Sequence, residues 1–286
     1  MTADLGAMQR LHLGNEVIEF GDRGAGEPIL LVHGGVFSDW FAPVVTSPEL
    51  DRFRVLRIRR AGYVDASPPP AHVTLGDHAA HCAALLTELG IDSAHVCGHS
   101  SGALIALELA LQRPEVVQTM VLLEPSPVAE LVGPICQASL PDVLGPVLAA
   151  AAGGDIANAF DLFLRAVGGE HYRATLAAAL GPDAYERALR QSAFFFKDEV
   201  GAAIEWTFGP DEAARIKQPM LLVMGGETAT ASAVPPESVG LLAGLIPHAE
   251  STVLAGATHL MPLEDPGGVA RLLAEFVRRH ENRVHS

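Results

Sequence analysis

A serine lies in a sharp turn within the sequence Gly98-His99-Ser100-Ser101-Gly102, between an apolar strand-like run and an apolar helix-like run. In such a G-x-S-x-G turn only small residues fit at the two glycine positions, and the serine hydroxyl projects from the end of the sheet. The helix that follows directs its first backbone N–H groups and its positive dipole end at the same place, where an oxyanion would form. This pattern predicts that Ser100 is a nucleophile.

A serine hydroxyl is a weak nucleophile until a base removes its proton, and an adjacent histidine can be that base. Of the 12 histidines, His259 has the strongest context, because it lies in a loop between the last predicted strand and the last predicted helix. Since that loop lies at the same edge of the sheet as the serine turn, we predict that His259 is the base.

The third residue of such a catalytic triad is a carboxylate that orients the histidine and stabilises its protonated form. Glu124 directly follows an apolar strand, 24 residues after Ser100, and a carboxylate in that position is expected to be partly buried and paired. Glu227 follows a later strand and is the alternative acid. The sequence favours Glu124, whose side chain is long enough to reach His259 from a neighbouring strand end.

Strands and helices alternate in the first 125 residues, which predicts a parallel sheet with helices on both faces and therefore an α/β fold. From residue 126 to 216 the sequence is rich in alanine, broken by Gly and Pro, and without a convincing strand, so several short helices are expected. Strands and a last helix return after residue 217. We therefore predict one core domain, residues 1–125 and 217–286, and one helical insert, residues 126–216.

The chain of 286 residues has 34 acidic and 19 basic side chains, a net charge of −15 and 49% apolar residues. Such an acidic balance disfavours nucleic acids and anionic membranes as partners. No signal peptide and no unbroken apolar run of about 18 residues is evident, and the three cysteines lack metal-ligand spacing. We expect a cytoplasmic protein without a metal or a cofactor, and the sequence leaves a homodimer open.

These motifs resemble those of the α/β-hydrolase superfamily over nearly the whole length of the chain. His33-Gly34-Gly35 resembles its oxyanion turn, and residues 256–266 resemble its histidine loop. The helical insert falls where the family carries a cap. The resemblance implies an α/β-hydrolase fold in which the backbone N–H groups of Gly35 and Ser101 hold an oxyanion, with Val36 a weaker alternative to Gly35.

One position departs from the usual family pattern. The acid commonly follows the strand after the cap, but that position is occupied here by Thr228. Some branches of the superfamily place the acid after the strand that follows the nucleophile helix, where this chain has Glu124. The position of Glu124 and the Ser-Ser-Gly sequence of the turn also resemble the zearalenone-type lactonases.

Aromatic and apolar residues near these motifs are the expected lining of a substrate pocket. They follow the oxyanion turn, adjoin the serine or the histidine, or belong to the insert: Val36, Phe37, Trp40, His99, Met261 and Trp206. Residues 194–196, a run of three phenylalanines in the insert, are expected to cover the pocket.

The sequence thus predicts a cofactor-free serine hydrolase that cleaves a small neutral carboxylic ester or lactone, for which a zearalenone-type macrolactone is one candidate. A C–C bond hydrolase of the meta-cleavage type shares the fold, the serine and the histidine, but it needs cationic side chains to bind its acidic substrates. A ligand receptor with little turnover and a cofactor-free haloperoxidase are further alternatives. The net charge of −15 disfavours a strongly anionic substrate.

Overall fold

A mixed sheet of eight strands forms the centre of the structure, a computed structural model that describes residues 7–65, 72–126 and 133–281. The strand order is β1-β2-β4-β3-β5-β6-β7-β8. The strands are β1 Gln9–Leu13, β2 Glu16–Arg23, β3 Pro28–Val32, β4 Arg54–Arg59, β5 Ala94–His99, β6 Val117–Leu123, β7 Met220–Gly225 and β8 Glu250–Leu254. The pairs β1–β2 and β2–β4 are antiparallel, and the other neighbouring strands are parallel. The predicted α/β fold with a mostly parallel sheet is confirmed.

Helices cover both faces of the sheet. Those of the core are α1 Ala42–Val45, α2 Leu75–Glu88 and α3 Ser101–Gln112 before the insert, and α10 Thr228–Ala231, α11 Val234–Leu245, α12 Met261–Glu264 and α13 Pro266–Arg278 after it. Alternate side chains of β3 show how the strands divide the interior: Ile29 and Leu31 point into one apolar core, and Leu30 and Val32 into the other. A strand that is covered on both faces is therefore apolar throughout.

Between β6 and β7 the described chain, residues 133–216, is helical and contains no strand. Its elements are α4 Pro134–Ala152, α5 Ile156–Gly168, α6 Tyr172–Leu180, α7 Ala184–Phe194, a π-helical turn Phe195–Glu199, α8 Val200–Glu205 and α9 Pro210–Arg215. We call this segment the insert. Residues 127–132, which belong to the predicted insert, lie outside the described residues. Because β6 and β7 are neighbours in the sheet, the insert starts and ends at adjacent strands.

The sequence predicted that no segment is long and apolar enough to span a bilayer, and helix α4 is an exception. It has 19 residues and meets that requirement by length and composition alone, although most of it is exposed in the structure rather than buried. Pro141, Asp142 and Pro146 interrupt the apolar run in the sequence, but the helix continues through them. At its first turn the Glu237 carboxylate accepts a hydrogen bond of 2.6 Å from the backbone N–H of Cys136, which ties α4 to α11.

Two glycines permit the tight turn between β5 and α3. A Cβ atom on Gly98 would lie 2.4 Å from the carbonyl oxygen of Gly102, and one on Gly102 would lie 2.2 Å from the carbonyl oxygen of Val32. The blocking atoms belong to the backbone, and a close-packed interior leaves them no room to move away. Ser100 itself has φ 55° and ψ −123°, a conformation that L-residues rarely adopt. The approach of α3 to the sheet therefore depends on glycine at both positions.

Replacing Gly102 should destabilise the fold, and a second helical glycine provides the matched control. Gly102→Ala forces a methyl group against β3, and such overpacking costs about 1–3 kcal/mol or more. Gly240 is exposed in α11 with open space around its Cα atom, so Gly240→Ala should raise the free energy of unfolding by about 0.5–1 kcal/mol. Urea denaturation followed by circular dichroism measures both changes. An unchanged midpoint for Gly102→Ala would show that the turn relaxes without cost.

Candidate active site

The carboxyl ends of three parallel strands bring Ser100, Glu124 and His259 to one edge of the sheet. Ser100 follows β5, Glu124 follows β6, and His259 lies in the loop between β8 and α12. The three side chains line the same cavity. Ligand sites of α/β proteins commonly lie outside the carboxyl ends of the strands, and this edge is therefore the candidate active site.

Glu124 and His259 share a short hydrogen bond inside the protein. His259 Nδ1 lies 2.7 Å from Glu124 Oε2, and because a carboxylate accepts, Nδ1 is the donor. The other oxygen of Glu124 accepts from the backbone N–H of Gly225 at 2.7 Å and from the Thr228 hydroxyl at 2.6 Å. Glu124 is completely buried, and these donors offset the cost of removing its charge from water. With Nδ1 protonated, Nε2 is the nitrogen that can accept a proton.

The alternative acid, Glu227, does not reach the histidine. Its side chain is exposed, and its backbone N–H donates to the carbonyl oxygen of Ala257 at 2.9 Å. Thr228, which occupies the usual acid position of the family, supports Glu124 through its hydroxyl instead. The structure thus brings Glu124, and not Glu227, into contact with His259.

The loop that carries His259 is held from two sides. His99 Nε2 lies 2.9 Å from the carbonyl oxygen of His259, and the backbone N–H of Thr258 donates to Glu264 Oε2 at 2.7 Å. Burial lowers the pKa of His99 well below its usual value, so the ring is neutral, and the carbonyl acceptor places its one proton on Nε2. His99 thus supports the histidine loop. It was expected to line the substrate pocket, but it is not among the residues that line the cavity.

The Ser100 hydroxyl lines the cavity but is paired with another serine. Its Oγ shares a hydrogen bond of 3.1 Å with Ser126 Oγ, and within the described part of the chain no hydrogen bond joins it to His259. Catalytic hydrogen bonds are often long or poorly aligned in free enzymes and tighten only with substrate. Since either hydroxyl can be the donor in the serine pair, Ser126 can donate to Ser100 Oγ and leave the Ser100 proton free for another acceptor.

Backbone strain is concentrated at the candidate site. Among the non-glycine residues that the structure describes, three have positive φ: Val36 at 72°, Ser100 at 55° and Glu124 at 42°. Each such conformation costs about 1–3 kcal/mol and persists only where the surrounding structure enforces it. The three residues follow β3, β5 and β6, so the strain lies at the edge of the sheet that carries Ser100 and Glu124.

Two backbone N–H groups at this edge are suited to hold an oxyanion. Ser101 is the first residue of α3, and its N–H therefore has no partner within the helix. Gly35 belongs to the turn after β3, and this turn lies against Ser100, because a Cβ atom on Gly34 would be 3.0 Å from Ser100 Cβ. A Cβ atom on Gly35 would be 2.2 Å from the ring of Phe195, so a side chain at this position would have to displace that ring.

Several residues expected to contact a substrate support the core instead. Trp40 stacks on Phe37 with ring centroids 4.3 Å apart, and its Nε1 donates to the carbonyl oxygen of Gly35 at 2.8 Å. This contact fixes the turn after β3 from the protein interior. The Trp206 indole donates to Glu108 Oε2 at 2.8 Å and does not line the cavity. Two further expected residues are buried without lining it: Val36 and Met261.

The cavity beside Ser100 has a volume of about 140 Å³ and lies between the sheet edge and the insert. Its apolar wall comes mainly from the insert and α11: Leu140, Val143, Leu144, Phe163, Ala166, Val167, Phe195, Val200, Ala203, Ile204, Val234 and Pro235. Phe195 is one of the three phenylalanines expected to cover the pocket. A larger depression of about 560 Å³ lies beside α13 and is lined by none of the three site residues.

Most of this wall could not be identified from the sequence. Leu140, Val143 and Leu144 share one face of α4 at the spacing that any core-facing helix shows. Pocket-facing and core-facing positions have the same pattern, so the spacing alone does not mark these residues as a cavity wall.

The three cysteines lack the features of reactive thiols in the structure. All three are buried and unpaired, and burial raises the pKa of the Cys82 thiol to about 12, which leaves it protonated at neutral pH. Within residues 7–65, 72–126 and 133–281, no group of three His, Cys, Asp or Glu side chains is arranged to hold a metal ion.

Among curated proteins, the chain is similar to several hydrolases and to an acetyltransferase component of an acetoin cleaving system. A 2-hydroxy-6-oxo-2,4-heptadienoate hydrolase of Pseudomonas putida is 34% identical over 107 residues, which cover 36% of this chain and 38% of that protein. The chain spans less than half the length of the curated relatives it matches. The activities of these relatives are therefore not transferred to this chain.

Solved structures with the same fold include an esterase and a lactonase. Naproxen esterase of Bacillus subtilis superposes with a TM-score of 0.73 at 20% identity, over 95% of this chain and 91% of that chain. The enol-lactonase of Burkholderia xenovorans LB400 has a TM-score of 0.72 at 19% identity, over 94% of this chain and 100% of that chain. At such low identity the likeness concerns the fold. The sequence model of the alpha/beta hydrolase family matches residues 29–272, which include Ser100, Glu124 and His259, and the chain therefore belongs to that family.

Proposed function

We propose that this protein is a serine hydrolase that cleaves a carboxylic ester or lactone through an acyl-enzyme on Ser100. The observation that carries the proposal is the buried contact between Glu124 and His259 beside Ser100 in one apolar cavity. A carboxylate that fixes the tautomer of a histidine next to a serine is the arrangement that acyl transfer requires.

In the proposed reaction, Ser100 Oγ attacks the carbonyl carbon while His259 Nε2 takes its proton. Glu124 stabilises the resulting imidazolium, and the N–H groups of Gly35 and Ser101 hold the negative oxygen of the tetrahedral intermediate. His259 then returns the proton to the leaving alkoxide as the C–O bond breaks. Water, deprotonated by His259, hydrolyses the acyl ester and restores the serine.

The insert is proposed to act as the cap of this site. It supplies most of the apolar wall, whereas the sheet edge supplies the triad. The cavity of about 140 Å³ is smaller than the roughly 300–1,000 Å³ of most ligand pockets. An acyl group of a few carbons therefore suits the site as it stands, and a zearalenone-type macrolactone requires the cap to move.

The charge of the cavity favours a neutral substrate over the acidic substrate of a C–C bond hydrolase. No arginine or lysine is among the described residues that line it. Four arginines that could have bound an acidic group are absent from this lining: Arg59, Arg60, Arg165 and Arg190. Because an unpaired carboxylate pays a desolvation cost of roughly several kcal/mol, we propose an uncharged ester or lactone.

Fluorophosphonate labelling and ester turnover test the nucleophile. The wild-type chain should be labelled at Ser100 and should hydrolyse p-nitrophenyl butyrate over many turnovers, whereas Ser100→Ala should lose labelling and about 10³-fold or more of kcat. Ser251 is exposed on β8, and Ser251→Ala should retain both. Folded wild-type protein without labelling or hydrolysis would refute the proposal, and a single turnover per chain would favour the receptor alternative.

The role of Glu124 can be separated from that of Glu227 by matched amide substitutions. Glu124→Gln presents an amide to His259 Nδ1 and disfavours the productive tautomer, so kcat should fall by about 10³- to 10⁴-fold. Glu227→Gln should leave kcat within about twofold, since that side chain is exposed. Steady-state kinetics and thermal melts measure both variants. If Glu227→Gln lost the activity instead, the acid would have to be moved to that residue.

Two esters that differ by one charge test the polarity of the site. The values of kcat/KM for p-nitrophenyl butyrate and for the p-nitrophenyl half-ester of succinic acid should differ by about 100-fold or more in favour of the neutral butyrate. The leaving group is the same, so the ratio reports the acyl side alone. Equal rates, or preference for the half-ester, would contradict a neutral-substrate site and support an acid-binding hydrolase.

A further inference from the structure

A second group of buried polar side chains lies next to the triad without belonging to it. Arg60 and Tyr63 follow β4, Ser101 begins α3, and Glu199 ends the π-helical turn of the insert. None of the four exposes more than 3% of its surface. Such groups are costly to bury unless each finds a partner, so their arrangement requires an explanation.

The carboxylate of Glu199 connects the other three. Its Oε1 accepts hydrogen bonds from Ser101 Oγ at 2.5 Å and from Arg60 Nη2 at 3.0 Å. Its Oε2 accepts a very short hydrogen bond from the Tyr63 hydroxyl. Glu199 raises the pKa of Arg60 against the opposing effect of burial, while burial, together with Glu199, raises the pKa of Tyr63 well above its usual value. Arg60 is therefore charged, and Tyr63 is a neutral donor.

The network also reaches the turn after β3. Arg60 Nη2 donates to the carbonyl oxygen of Gly34 at 3.0 Å, and the backbone N–H of Arg60 donates to His33 Nε2 at 3.1 Å. His33 Nδ1 in turn lies 2.6 Å from the same Gly34 oxygen. The peptide between Gly34 and Gly35 supplies the Gly35 N–H, so these contacts orient one of the two proposed oxyanion donors.

Both proposed donors are thus tied to one residue of the insert. Glu199 holds Ser101 directly and Gly34 through Arg60. The same π-helical turn places Phe195 over Gly35, where a Cβ atom would lie 2.2 Å from the ring. Turns of this kind are rare and often occur at functional sites. An ion pair that only fastened the insert to the core would have no need to contact both sides of the oxyanion site.

We propose that Glu199 is a positioning residue that couples the seated insert to the assembly of the oxyanion hole. The inference rests on the proposed hydrolase function. It implies that the two N–H groups reach the correct separation only when the insert places Glu199 between Ser101 and Arg60. Glu199 does not line the cavity, so it acts through these partners and not on the substrate.

The test is Glu199→Gln, which keeps the shape of the side chain but weakens its hold on three donors. Removal of one oxyanion donor costs about 10²–10³ in kcat, so misplacement should lower kcat by about 10- to 100-fold while KM for p-nitrophenyl butyrate stays within about threefold. The affinity for butaneboronic acid, which forms a tetrahedral adduct with the serine, should fall by a similar factor. A role in stability alone would lower the melting temperature without this selective loss.

Two further variants complete the test. Glu186→Gln alters an exposed carboxylate of α7 in the same insert and should leave kcat and boronate affinity unchanged. Ser101→Ala removes a single hydroxyl and keeps the backbone N–H, so it should lower kcat in the same direction, by about 5- to 20-fold, and it decides the question if Glu199→Gln does not fold.

The outcomes separate the inference from the function on which it rests. A wild-type chain that neither hydrolyses the ester nor binds the boronate overturns the proposed function and this inference with it. An active wild type with a folded Glu199→Gln variant of unchanged kcat and unchanged boronate affinity overturns the inference alone. If Glu199→Gln fails to fold, an unchanged kcat for Ser101→Ala overturns it as well.

Discussion

The buried charge of Glu124 constrains everything around it. A carboxylate without exposed surface must find its donors inside the protein, and Glu124 takes them from Gly225 at the end of β7, from Thr228 in α10 and from His259 after β8. Leaving such a charge unpaired costs about 3–5 kcal/mol, so the ends of three neighbouring strands are held in one arrangement. The His259 ring is oriented by this requirement, because its Nδ1–H is one of the donors to the Glu124 carboxylate.

The position of Ser100 depends on a second constraint, which is steric. Gly98 lets the start of α3 pack against β5, and Gly102 lets it approach the end of β3, in each case so closely that no Cβ atom fits. Ser100 is left in a strained conformation at the tip of the turn, and the first N–H groups of α3 point to the same region. Packing between a helix and a strand thus sets the position of the hydroxyl and the direction of the helix N-terminus together.

The sheet could be predicted from the alternation of strands and helices, and Ser100 and His259 from local motifs. Glu124 was favoured by its position after a strand together with the resemblance to some branches of the superfamily. The wall of the cavity was not accessible, because apolar residues on a helix have the same spacing whether they face a core or a pocket. Trp40 illustrates the difficulty: its indole donates inward to Gly35, although its place in the sequence suggested a substrate contact. Glu199 lies in a stretch without any motif, and its partners are 98 to 139 residues away along the chain.

The position of the insert has an evolutionary consequence. It leaves the sheet at the carboxyl end of β6 and returns at the amino end of β7, and these two strands are adjacent and parallel. A segment attached in this way can be exchanged or lengthened without changing the register of the sheet, since longer loops add little closure cost. The insert, which forms most of the cavity wall, can therefore diverge while the strands that carry Ser100 and Glu124 stay unchanged, and the proposed role of Glu199 would require each new insert to keep an acid at that place.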